Sequence, residues 1–128
     1  MELLLDTHVF LWWDSQDASL NAAARAAIAD PGNRVFVSAA SIWEISIKRR
    51  SGKLAFEGSA AAAINANGFF GLAILPIAAE EAGALAWDHA DLFDRMLIAQ
   101  ARHAGLTLVT ADSQIRAYDA AGALLWAG

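Results

Sequence analysis

The sequence predicts an α/β fold, a three-layer α/β/α sandwich around a mostly parallel sheet of four to five strands. Three observations lead there. Short runs at residues 3–5, 35–37, 72–75 and 106–110 read as strands, and the three leucines of the first read as a strand buried on both faces. Alanine-rich stretches with helical spacing separate those runs. Strand and helix alternate from end to end, which is the pattern of parallel-sheet architecture.

At 128 residues the chain is read as one domain, 1–128, long enough to bury a core without staples. The hydrophobic share, 57%, exceeds the usual globular range, and five tryptophans add to it, so some apolar surface is expected to meet a partner. The absence of cysteine removes disulfides, thiolate catalysis and cysteine zinc sites. No apolar run approaches the ~20 residues that span a bilayer, and Asp6 interrupts the only N-terminal apolar run, so neither a membrane anchor nor an export signal is expected. A cytoplasmic location is the default. The net charge of −5 argues against nucleic-acid binding by overall charge; a polyanionic ligand would need a local basic patch and a bound cation.

Leu3-Leu4-Leu5 forms the first strand and Asp6 stands where it stops. Val9 to Trp13 is apolar all round, as in a buried or partner-covered helix. Ser19 is the expected N-cap of an alanine-rich helix reaching Ala29, and Asp30-Pro31-Gly32-Asn33 is a turn. After the second strand, Ser38 or Ser41 caps the next helix; Ser41 and Glu44 have capping-box spacing. Gly52 ends that helix, and another spans about 58–67. Leu72 to Leu75 reads as the third strand, stopped by Pro76, with a helix over about 79–86 behind it. Phe93, Met96, Leu97, Ala101 and Ala104 mark a further helix closed by Gly105. The fourth strand, a short helix ending near Tyr118 and a last edge strand at 124–126 complete the chain.

Four carboxylates from separate segments fall at one rim of this layout. Asp6 ends strand one, and Asp112 follows strand four across Thr110-Ala111. Glu44 lies early in the helix after strand two. Asp94 lies in the first turn of the helix that feeds strand four; that helix runs against the strands, so its start sits at their carboxyl ends, where α/β sheets bind ligands. The helix dipole accounts for Asp94, Asp112 and Glu44 one at a time, but not for an acid directly after three leucines. Crowded carboxylates repel and retain protons unless a cation joins them. Oxygen donors without cysteine or a histidine pair suit Mg²⁺ or Mn²⁺. Such an ion activates water, polarises a phosphoryl oxygen and steadies a leaving oxygen, which are the needs of phosphodiester cleavage.

Leu-Leu-Leu-Asp-Thr-His at 3–8, Ser-Ile-Trp-Glu-Ile-Ser-Ile-Lys at 41–48, His-Ala-Asp-Leu-Phe-Asp-Arg-Met-Leu-Ile-Ala-Gln-Ala at 89–101 and Leu-Val-Thr-Ala-Asp at 108–112 together resemble a PIN domain. More narrowly they are similar to the VapC toxins of bacterial toxin–antitoxin pairs. Four blocks in order make the resemblance specific over nearly the whole chain. It implies a metal-dependent endoribonuclease that cuts RNA with metal-activated water, without a covalent enzyme intermediate. Asp6 and Asp94 would be direct ligands of Mg²⁺ or Mn²⁺; Asp112 would complete or water-bridge the metal site, and Glu44 would hold a second ion or orient water. A homodimer and a cognate antitoxin covering apolar surface are further implications. The chain departs from the usual His-x-Asp-Pro-Phe-Asp block at Leu92, which stands in place of proline and relaxes the helix start around Asp91.

The remaining polar residues admit two roles each. Asp91 can join the acidic set, cap its helix or pair with Arg95; the structural roles are favoured. Thr7 and Thr110 can orient water or phosphate, or satisfy backbone. Arg95 is the better single cation for contacting phosphate or tuning the site. Lys48, Arg49, Arg50 and Lys53 form the densest basic run, suited to RNA contact or to a solvated helix end. His8 and His89 lack paired metal-ligand spacing and are read as supporting or packing residues, and His103 as a helix-end contact. Two other functions fit less well. A non-catalytic PIN scaffold would only bind a partner protein or RNA, and a metal titration beside a cleavage assay separates it from a nuclease. A phospho-acceptor receiver domain would need adjacent acids after strand one and an acid after a central strand, yet Asp6 has no acidic neighbour and strand three runs into Leu75-Pro76.

Overall fold

Leu3, Leu4 and Leu5 are completely buried, and their alternation places two faces of apolar side chain on opposite sides of one strand. In the computed structural model, which describes residues 1–119 and 122–128, this strand is β1 (Glu2–Leu5). It pairs in parallel with β2 (Arg34–Ser38) on one side and β4 (Thr107–Thr110) on the other. β3 (Phe70–Leu72) lies beyond β2 and β5 (Leu124–Trp126) beyond β4, giving a five-stranded sheet in the order β3-β2-β1-β4-β5 with every pairing parallel.

Leu3 and Leu5 pack into one apolar cluster with Val9 and Phe10 of α1 (Thr7–Ser15), Ala24 and Ile28 of α2 (Ala22–Ala29), Ile45 of α3 (Ala39–Arg50) and Ile64 of α4 (Ala60–Ala66). Leu4 faces the other way, against Leu97, Ile98 and Ala101 of α6 (Leu92–Ala104) and Ile115 of α7 (Ser113–Tyr118). The three layers thus follow from the pleat of one strand. Each buried leucine contributes about 2 kcal/mol of transfer free energy. The strand order reverses around β1, so the carboxyl ends of β1 and β4 flank a switch point open to ligands.

Several boundaries differ from the sequence reading. α2 begins at Ala22, capped by Asn21 rather than Ser19; the Asn21 amide also donates to Trp126 O, a tertiary bond that a serine hydroxyl could not duplicate. Ser38 caps α3, so Ser41 and Glu44 lie inside the helix and make no capping box. β3 comprises Phe70–Leu72 instead of residues 72–75, because its last rung, Leu72, meets Ser38, where β2 already turns into α3. Leu75 is an extended N-cap and Pro76 opens α5 (Pro76–Ala84), three residues earlier than expected; proline's fixed φ suits the first helical position. A buried bond from Ser38 Oγ to Gln100 Oε1, 2.6 Å, ties the end of β2 to α6. Among the described residues no helix is long and apolar enough to cross a membrane.

Candidate active site

Asp6 sits between β1 and α1 and performs two tasks. Its Oδ1 accepts from Val9 N at 2.8 Å, capping α1, and its Oδ2 accepts from the Thr110 hydroxyl at the end of β4. The dipole argument that left this acid unexplained in sequence therefore does apply to it. Only 5% of Asp6 is exposed, and burial raises its pKa, with Asp112 adding to the rise and the Thr110 and Val9 bonds opposing it.

Asp94 lies in the first turn of α6, as expected. Burial pushes its carboxyl up to about 6, helped by repulsion from Asp91 and Asp112 and opposed by a 2.7 Å bond to His89 Nε2. Asp91 caps the same helix, accepting from Phe93 N and Asp94 N, so Leu92 in place of proline leaves the helix start intact. Asp112 caps α7 through Gln114 N and Ile115 N, while its own N–H donates to Thr110 Oγ1. Thr110 thereby links Asp6 to Asp112.

Glu44 enters from α3, almost wholly buried. Its Oε1 accepts from Thr7 Oγ1 at 2.6 Å and its Oε2 from Lys48 Nζ at 2.6 Å. Thr7 has one proton and gives it to the carboxylate, so Ser41 Oγ, 3.0 Å away, must be the donor toward Thr7. The Glu44 carboxylate raises the Lys48 pKa, and Asp91 and Asp94 act on the same ammonium. Lys48 thus faces Glu44, Asp91 and Asp94, and Asp112 links Asp94 to Asp6.

Among the described residues, one group offers three ligand atoms all within 4.8 Å of one another: His89, Asp91 and Asp94. Asp6, Glu44 and Asp112 lie outside that group: Asp112 repels Asp94, Asp6 is reached through Asp112, and Glu44 is linked through Lys48. Excess negative charge on half-buried, oxygen-rich donors fits a hard divalent cation.

The basic residues divide. Arg95 does not face the carboxylates. Its guanidinium donates to the carbonyls of Ala82, Gly83, Leu85, Trp87 and His89, closing the end of α5 and the loop that carries His89. Arg49 donates to Phe56 O and Gly58 O, whereas Arg50 and Lys53 are exposed. His8 is exposed near Trp12, and His103 Nδ1 lies 3.9 Å from Glu81 Oε1. Sequence reasoning missed the Arg95 clamp and the role of Ser41. A usable signal existed for the first: side chains in an opening helical turn lean toward the N-terminus, here onto the preceding loop. Arg95→Lys is expected to keep the charge but lose the fork, lowering Tm and speeding amide exchange across residues 85–91; unchanged exchange there would show that the clamp is dispensable.

A family model for the PIN domain matches residues 3–121. The chain belongs to the PIN-domain family. Solved structures share the fold at low identity. A chain of the VapBC2 complex from Rickettsia felis, bound to a DNA fragment from its promoter, superposes with a TM-score of 0.66 at 12% identity, covering 100% of both chains. A Klebsiella pneumoniae toxin–antitoxin complex gives 0.65 at 20% identity over 96% of this chain and 95% of the other. Mycobacterium tuberculosis VapC20, described as a sarcin–ricin-loop-cleaving toxin, gives 0.57 at 18% identity over 90% and 93%. A search of curated protein sequences gave no significant match. In this PIN domain the acids of the four sequence blocks occupy the carboxyl rim of the sheet, at the switch point around β1.

Proposed function

We propose that the protein is a VapC-type toxin, an endoribonuclease dependent on Mg²⁺ or Mn²⁺, acting in the cytoplasm and restrained by a cognate antitoxin. The observation that carries this reading is the partly buried acidic cluster, with Asp94 pushed up to about 6, at the rim of a PIN fold. Such a cluster is unfavourable without a cation. Asp6 and Asp94 would hold the ion, with Asp112 completing the set and Glu44 beside it. When bound, the ion supplies Lewis acidity toward the phosphodiester and toward water at neutral pH.

The chain's own groups prepare the site. The Thr110 hydroxyl fixes Asp6, and the Thr7 and Ser41 hydroxyls fix Glu44. His89 holds one oxygen of Asp94. Lys48 offsets part of the negative charge, and with the exposed Arg50 and Lys53 it would offer cations to the RNA backbone.

An apolar face supports the partner reading, both for an antitoxin and for a homodimer. Trp43 is 58% exposed and Leu92 71%, flanking a groove of about 270 Å³ between α3, α5 and α6. The toxin–antitoxin complexes among the structural neighbours point the same way.

The deciding experiment incubates the purified protein with RNA in Mg²⁺ or Mn²⁺ and in chelator. Cleavage with metal and none in chelator is expected. Equal cleavage in chelator would refute the metal mechanism, and metal binding without cleavage would favour a scaffold.

A further inference from the structure

Trp87 stacks on Tyr118, with ring centroids 4.5 Å apart and planes 9° from parallel, and on His89, 4.3 Å apart at 29°. This three-ring cluster borders an open cleft of about 450 Å³, whose lining adds the exposed side chains of Asp88, Gln114 and Ala117. The cleft touches the acidic centre from two directions. His89 is bonded to Asp94, and the Gln114 N–H is bonded to Asp112. The Arg95 fork ties down the loop under Trp87 and His89, so the rings are held before any ligand arrives.

We infer that this cleft is a nucleobase site, seating an unpaired base of the RNA next to the phosphate that is cut, with guanine favoured. The inference rests on the nuclease reading. Single-stranded RNA is recognised by stacking of splayed bases on aromatic rings and by hydrogen bonds to base edges. Here the rings are grouped, and the polar groups beside them are of the type that reads edges. The Asp88 carboxylate only accepts, and guanine's N1–H and N2–H₂ form a two-donor edge that a carboxylate matches. Uracil offers one donor there. The Gln114 amide donates and accepts, and so can complete either edge of a purine. The groove by Trp43 offers no comparable pairing of rings with exposed polar edges; its lining is chiefly apolar.

The test uses short single-stranded oligonucleotides that differ in one base at each position flanking the cut. Wild-type protein with Mn²⁺ is expected to prefer guanine over uracil at one such position by about tenfold in kcat/KM. Asp88→Asn and Gln114→Ala, both at exposed positions, should reduce that ratio below about threefold. Trp87→Phe should raise KM for every sequence while keeping the guanine preference, because it trims the stack and leaves the edge readers. Binding of the same oligonucleotides in chelator, followed by fluorescence anisotropy, reads the cleft without turnover. Cleavage with no base preference, or a preference that survives in both Asp88→Asn and Gln114→Ala, would overturn the base site and leave the nuclease standing. Guanine-selective binding in chelator that both variants abolish, without cleavage in metal, would keep the base site and remove the nuclease.

Discussion

Asp94→Asn is expected to abolish cleavage while raising the thermal stability of the metal-free protein. Asp94 ionises in the folded chain only near pH 6, against 3.8 for a free side chain. At neutral pH the folded state therefore holds an anion disfavoured by roughly 3 kcal/mol. Asparagine keeps the shape and discards the charge. Part of the gain is lost because the amide pairs less strongly with His89 than a carboxylate does. The net should be roughly 1–2 kcal/mol, or about 4–8 °C in Tm. Activity should fall on the order of a thousandfold or more, since on the proposed mechanism Asp94 would hold the ion and asparagine cannot replace it. Differential scanning calorimetry in chelator and an RNA cleavage assay read the two effects. Loss of activity together with a lower Tm would make Asp94 a structural residue. The opposite signs mark a group kept for chemistry at the expense of stability.

Much of this site was legible in the chain because its signals are local. Leu3-Leu4-Leu5 has no polar alternation, so a strand buried on both faces was the direct reading, and Asp6 could only stand at its end. Asp94 opens the amphipathic helix that feeds β4, so its place at the rim follows from helix direction, and Asp112 follows β4 directly, so its place follows from the end of that strand. The illegible features depend on distant partners. β3 is three residues long because β2 ends at Ser38, a fact invisible within the run 72–75. Asn21 outcompetes Ser19 as a cap because its amide reaches Trp126, 105 positions later. Arg95 was assigned to phosphate because it adjoins Asp94; the five carbonyls that hold it come from a loop whose path only the packed fold defines. Glu44 lies in the expected helix but past its first turn, and while its pair with Lys48 is local at i,i+4, its bond with Thr7 needs α1 and α3 side by side.

Mn²⁺ should stabilise the protein strongly at pH 7.5 and little at pH 4.5. The unfolded chain gives up the Asp94 proton near 3.8, the folded chain near 6. Between those values the folded state binds more protons. In chelator this carboxyl therefore contributes most stability below about pH 4, and its contribution falls as pH rises to about 6 and is level beyond. Asp6, also raised by burial, acts in the same direction. A divalent ion competes with those protons, because a carboxylate must be ionised to hold it. Its affinity should accordingly climb across the same window in which the metal-free fold weakens, and reach a plateau near neutrality. At free Mn²⁺ one hundred times Kd the gain is about 2.7 kcal/mol, which in a chain of this size shifts Tm by about 10 °C. Thermal scans at pH 4.5, 6 and 7.5, with Mn²⁺ and with chelator, separate the two slopes. In Asp94→Asn both should shrink together, because one group supplies the proton and the ligand. An equal Mn²⁺ shift at all three pH values, or an undiminished shift in Asp94→Asn, would place the ion somewhere other than these carboxylates.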